Sequence, residues 1–240
     1  MSMKDPERLA KALSRIFKPT SAEQIYGWSS PALNVLDCVL SLNRRYDGFA
    51  LPRVQRFAER YPTLSTLQGL RDLIARYRSP REFGRQELSY DDAARMDTLL
   101  RVTEYLLVVQ REQSGRSERH RLTKWATSVR VSDYQKVGVR GFGLSGFQYL
   151  RMLFGAQTTK PDVHIQRFVS RVLGRKVRDV DALRLLEQAA ALASVRLREA
   201  DYAIWSRSAR GASRCTQRAR SSGRADCASS SNRASSAARH

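Results

Sequence analysis

Two neighbouring stretches of the chain combine residue types and spacing that could do chemistry. The first is Val139-Arg-Gly-Phe-Gly143, in which glycines at alternate positions allow positive φ and leave the backbone bare. An apolar helix follows it, with Phe147, Tyr149, Leu150, Leu153 and Phe154 in phase. The N–H groups at the start of such a helix have no intrahelical partner, so they can take a phosphate oxygen with the helix dipole in support. Val139, Arg140, Gly141, Gly143 and Ser145 are therefore candidate phosphate contacts. The second stretch is Pro161-Asp-Val-His-Ile-Gln-Arg167, where Asp162 stands at the mouth of another helix. A carboxylate there is either a reactive group or an N-cap for the helix it precedes. His164 has two readings as well, a ligand or base on one side and a polar contact in the first turn on the other.

The partner for such groups is indicated by charge. The 240 residues carry 43 Lys and Arg against 23 Asp and Glu, a net charge of +20. An excess of this size favours a polyanion, because every phosphate neutralised releases counterions and adds affinity independent of base sequence. The competing explanation is coding bias, since most of the basic residues are Arg. No apolar run approaches the roughly 20 residues of a membrane span, and the first residues lack the apolar core of a signal peptide. A cytoplasmic, nucleoid-associated location is expected, with no membrane partner. The three cysteines, Cys38, Cys215 and Cys227, form no disulfide framework.

Apolar residues recur at helical spacing almost throughout the chain. Asp5-Pro6, Ser21-Ala-Glu-Gln24 and Ser30-Pro31 carry helix-start chemistry. The spacing predicts helices over 32–42, 52–60, 64–77, 91–113, 117–131, 163–173, 179–193 and 197–205, with Asp179 or Asp181 capping the seventh. Residues 78–90 read as loop, and Asn43 to Gly48 as a polar, basic break. No stretch alternates with period two between turn signals, so the fold class is all-α. Residues 206–240 contain eight Arg and one Asp but no Ile, Leu, Val, Met, Phe, Tyr or Trp. Such a segment buries too little apolar surface to offset its chain entropy and should be disordered, either as a basic arm or as a passenger.

Taken together, these residues resemble the helix-hairpin-helix DNA glycosylase superfamily, the endonuclease III and adenine glycosylase group. That family's hairpin reads apolar-Pro-Gly-apolar-Gly and is followed within about twenty residues by apolar-Asp-x-His-apolar-x-Arg. Val139–Gly143 and Pro161–Arg167 match in order and spacing. Val39-Leu-Ser-Leu-Asn43 is similar to the family's early Leu-Ser-x-Gln helix end, and Asp201-Tyr-Ala-Ile-Trp205 to its late Asp-x-x-Leu-Trp pattern. The resemblance covers most of residues 31–205. It implies a two-lobed fold, with residues 31–154 as a helical-bundle lobe and residues 1–30 joined by 155–205 as the second. It also implies a monomer that acts on double-stranded DNA with a lesion or mismatch. Asp162 would face the sugar of a flipped nucleotide and stabilise the positive charge that builds there as the N-glycosidic bond breaks. His164 would lie behind it, and Asn43, Arg44 and Tyr46 stand where the family places side chains that wedge into the duplex.

The departures from the family pattern narrow the expectation. Lyase-competent members carry a Lys two residues after the second hairpin glycine, as Schiff-base nucleophile, and this chain has Ser145 there. A monofunctional glycosylase without strand cleavage is expected. Arg140 replaces the hairpin proline. The iron–sulfur loop of many members is missing, since two late cysteines eleven residues apart cannot supply it, so no iron–sulfur cluster or other metal is expected. The alternatives are a catalytically inactive helix-hairpin-helix DNA-binding protein and, more remotely, a protein-interaction scaffold.

Overall fold

A computed structural model describes residues 4–17 and 27–208, and among them it is helical without any strand. The elements are α1 (Asp5–Ile16), α2 (Pro31–Leu40), a π turn (Tyr46–Ala50) running into α3 (Leu51–Arg60), α4 (Leu67–Ala75), α5 (Pro80–Glu87) and α6 (Ala93–Arg111). They continue with α7 (Glu118–Ser128), a 3-10 helix (Val131–Val137), α8 (Leu144–Leu153), α9 (Val163–Leu173) and α10 (Asp179–Leu192). A last helix, α11, covers residues 197–208. The all-α class follows from the helical spacing of the apolar residues.

Among the described residues the structure holds two hydrophobic cores. The larger is built on α2, whose ten residues are all buried and which touches α3, α4, α6 and α8. Trp125 of α7 fills its far side, edge-on to Phe147 and Phe154. The smaller core joins α1, α9, α10 and α11 through Leu9, Leu13, Ile165, Val169, Leu185, Leu186 and Ile204. Each fully buried Leu or Phe contributes about 1.5–3 kcal/mol by leaving water, so the two cores are separate sources of stability. The loop from Phe154 to Asp162 passes from one core to the other.

Helix starts follow the sequence at some points and depart from it at others. Ser30 caps α2 by accepting from the Leu33 N–H, with Pro31 in the first position. Asp5 does not cap α1: it is already the first helical residue, and its carboxylate pairs with Arg175 at 2.6 Å. Neither Asp179 nor Asp181 caps α10, whose N-cap position is Arg178; Asp179 reaches only the Val180 N–H. Residues 78–90 are not a loop, because Ser79 caps α5 through the Glu82 N–H and Pro80 opens it. Gly84 conceals that helix in the sequence. A Cβ there would come within 2.5 Å of the Met96 side chain, so the glycine is a packing requirement between α5 and α6. The expected helix over 117–131 ends at Ser128, where Val129 turns extended. The helical start of the 206–240 segment is a further correction, since α11 continues through residue 208, with the Ser206 and Ser208 hydroxyls bonded back to Ala203 and Ile204 carbonyls. Residues 209–240, with Cys215 and Cys227, and residues 18–26, with the Ser21–Gln24 cap signal, lie outside the described residues.

Candidate nucleic-acid interface and carboxylate site

The hairpin is a tight turn between the 3-10 helix and α8. Val137 and Phe142 anchor it in the larger core, and Val139 packs partly against it. The Phe142 N–H donates to the Val139 carbonyl at 3.1 Å, and Thr98 of α6 donates to the Arg140 carbonyl at 3.1 Å. Gly141 has φ +79°, a region that L side chains rarely adopt, so the backbone itself demands glycine. Gly143 is different. Its φ is −92°, open to any residue, and a Cβ built on it meets nothing within 4 Å. Neither backbone strain nor packing explains that glycine. It is the N-cap of α8 and supplies no side-chain cap, so the N–H groups of the first turn have no acceptor among the described residues. Arg140 is exposed beside them.

One turn into α8 the hairpin is tied to the second motif. Ser145 Oγ donates to the Pro161 carbonyl at 3.0 Å, and Gln166 Nε2 donates to the same oxygen at 2.9 Å. The next residue, Asp162, is the N-cap of α9, and its Oδ1 accepts from the His164 N–H at 2.8 Å and the Ile165 N–H at 3.3 Å. Both bonds fall on one oxygen of a half-buried carboxylate. The His164 ring makes no hydrogen bond to a described residue, so the histidine enters the site through its backbone.

Near Ser145 and Asp162 lies a cluster in which Asp37 and Lys160, outside every motif, join Tyr46, Tyr149 and Asp201. Asp37 of α2 is 1% exposed. Its Oδ1 accepts from Tyr149 Oη at 2.9 Å, and its Oδ2 accepts from Trp28 Nε1 and Tyr46 Oη, each at 2.9 Å. Burial pushes the Asp37 carboxyl above its usual range, and the three donors and the charge of Lys160 oppose that rise. Tyr149 stands four residues after Ser145, on the same face of α8. Lys160 lays its ammonium on the Tyr149 ring, 4.4 Å from the centroid. From the opposite side, Asp201 of α11 accepts from the Lys160 N–H at 3.4 Å. Burial and the negative charge of Asp162 push the Asp201 carboxyl up to about 8, while Lys160 pulls it back. The seam closes where Tyr46 meets Trp205 of α11 edge-on, at 6.0 Å between centroids, with Tyr202 5.9 Å from Trp205.

The structure therefore ties the hairpin of Val139, Arg140, Gly141 and Gly143 to the loop that carries Asp162 through Ser145. The turn at Asn43 runs beside it, since Leu42 lies 3.0 Å from the space a Gly146 Cβ would occupy. Asn43 is exposed with φ +55°. Arg44 is exposed but held against neighbours, 3.2 Å from Tyr90 Oη and 3.9 Å from Asp92. Tyr46 turns its hydroxyl inward to Asp37 and does not stand out as a wedge. Asp37 and Lys160 were legible only in part: an acid inside an otherwise apolar helix was a signal, and Lys160 stood within the Pro161–Arg167 motif's own approach.

Among the described residues no three His, Cys, Asp or Glu side chains come together in a way that could hold a metal ion. No described helix is long and apolar enough to cross a membrane. Neither a curated protein nor a solved structure matches the chain. Residues 7–209 match the family model described as Domain of unknown function (DUF8548), and the chain belongs to that family.

Proposed function

We propose that the protein is a monofunctional DNA N-glycosylase of helix-hairpin-helix type. On this reading the two cores are the two lobes of such an enzyme, meeting along the seam between Tyr46 and Trp205. The hairpin takes a backbone phosphate on the first-turn N–H groups of α8, with Arg140 alongside. Phosphate contacts of this kind set register without reading sequence. The nucleotide next to that phosphate leaves the stack, at a cost of a few kcal/mol that is lowest for a damaged or mismatched base. Asp162 then stabilises the positive charge on the deoxyribose as the C1′–N bond breaks and directs the water whose oxygen forms the new bond to C1′. The base departs with the electron pair of the broken bond, and the proton released by water balances it.

The single observation that carries this reading is the Ser145 bond to the Pro161 carbonyl, which couples the glycine hairpin to the carboxylate loop. A hairpin and an N-capping Asp occur separately in many helical proteins; the coupling supports reading the two as one site. Ser145 is spent on that bond, and no Lys takes its place, so no lyase step is assigned.

A second reading is favoured by the capping geometry: a DNA-binding module in which Asp162 only closes the end of α9. Asp162→Asn separates the two, because Asn caps a helix about as well as Asp but carries no charge. On duplexes bearing single lesions, loss of excision with retained binding supports the glycosylase. Parent-like excision by the variant removes Asp162 from the chemistry, and binding without excision on any lesion by the parent supports the module.

A further inference from the structure

Resting on the glycosylase reading, we infer that Lys160 is the base-reading residue, and that the base it takes presents a carbonyl oxygen where adenine or cytosine presents an amino group. The side-chain donors of the cluster named above are nearly all committed. Tyr46 Oη, Tyr149 Oη and Trp28 Nε1 each donate to Asp37, which leaves none of them a proton to donate to a ligand. Lys160 is the exception. Its backbone N–H is used by Asp201, but its ammonium has no hydrogen-bond acceptor and no ion pair within 4.0 Å among the described residues. It is half-buried and rests on the face of Tyr149 at 4.4 Å. An ammonium has three donors, and a ring face satisfies it as a charge but accepts no conventional hydrogen bond. Its Nζ reaches solvent, so water completes these donors in the free protein, and an acceptor on a ligand can take that water's place.

The surroundings select the completing group. Tyr46, bonded to the same Asp37 as Tyr149, meets Trp205 edge-on at 6.0 Å, and aromatic rings of this kind suit a flat heterocycle. A cationic base would meet the Lys160 charge and is disfavoured. An amino edge would set donor against donor. A carbonyl edge accepts from the ammonium, and the match persists into the reaction. As the C1′–N bond breaks, the electron pair passes to the base, and in a carbonyl-bearing base the negative charge spreads onto that oxygen beside Lys160. Water supplies oxygen to C1′ and its proton to the departing base, so no other reactant is required.

Two matched pairs of duplexes test the assignment: uracil against cytosine and hypoxanthine against adenine, each the same ring with a carbonyl or an amino group at one position. Single-turnover release by the full chain is expected to favour the carbonyl member by at least about 10²-fold in one pair, the scale on which a donor matched to an acceptor discriminates. Lys160→Met should bring that ratio to within about threefold while its affinity for undamaged duplex and its thermal midpoint stay near the parent's; Lys160→Arg should retain part of the ratio. Preference for the amino member, or a ratio unchanged in Lys160→Met, overturns the assignment. So does a parent that releases none of the four bases. In that event, excision of an oxidised or alkylated base that is lost in Asp162→Asn keeps the glycosylase reading, and absence of all excision removes both.

Discussion

At the scale of single residues, the two hairpin glycines separate folding from binding. Gly141 sits at φ +79°, so Gly141→Ala forces a side chain into the left-handed region and should cost about 1 kcal/mol or more of stability. Gly143 has an ordinary φ and open space, so Gly143→Ala should leave the thermal midpoint unchanged or slightly raised. On the proposed reading its methyl group would instead stand in the path of the phosphate, and duplex affinity should fall about tenfold. A Gly143→Ala protein that binds like the parent removes the phosphate from this place. Asp201 makes a second prediction. Its carboxyl is pushed up to about 8 by burial and by Asp162, whereas in the unfolded chain it titrates near 4. Between those values the folded chain holds a proton that the unfolded chain has lost, so stability falls as pH rises through this window and levels off above it. Raised Asp37 and Glu187 act in the same direction in any variant, so the comparison with Asp201→Asn isolates this residue. From pH 5 to pH 8 the parent should lose at least about 1 kcal/mol more than the variant, roughly 2–4 °C for a chain of this size. Parallel melting curves would show that Asp201 does not keep its proton in this window.

At the scale of elements, the sequence was most legible where a cap and an apolar stripe coincide, and least legible where a local signal had to compete with packing. Ser30-Pro31 and the stripe after it located α2 because both clues point the same way. Ser79-Pro80 carries the same start signal, but Gly84 and a run of charged residues broke the stripe of α5; the reason for the glycine, contact with Met96, belongs to a partner helix. Asp5 looked like a cap because its type and place before Pro6 suit one, and it was drawn one position inward by Arg175, 170 residues away. Such pairings depend on how two cores dock. The candidate site divides in the same way. The hairpin and Asp162 are continuous in sequence and could be read from spacing. Asp37, Lys160 and Asp201 come from α2, the crossing loop and α11, and only the fold brings them together.

At the scale of the whole molecule, the proposal requires DNA to bind mainly through charge. The net charge of +20 is spread over described residues and the Arg-rich residues 209–240 alike. Affinity for a duplex without a lesion should fall steeply with salt, log K against log salt giving a slope of several phosphates at about 0.9 each. Removing residues 209–240 should lower that slope by a few units if they act as a basic arm, and hardly at all if they are a passenger. A slope near zero for the full chain would instead favour coding bias as the origin of the Arg excess.

In the proposed enzyme the carboxylate of Asp162 carries the chemistry. The most direct measurement is single-turnover base release by Asp162→Asn on a duplex carrying a base that the parent excises. The Asn side chain can still accept from the His164 and Ile165 N–H groups, so α9 keeps its cap and the fold its thermal midpoint. Loss of the negative charge should slow release by about 10²–10³-fold, as removal of one electrostatic stabiliser of a transition state does, with duplex affinity unchanged. Release at the parent's rate would contradict the account and leave Asp162 as a helix cap alone.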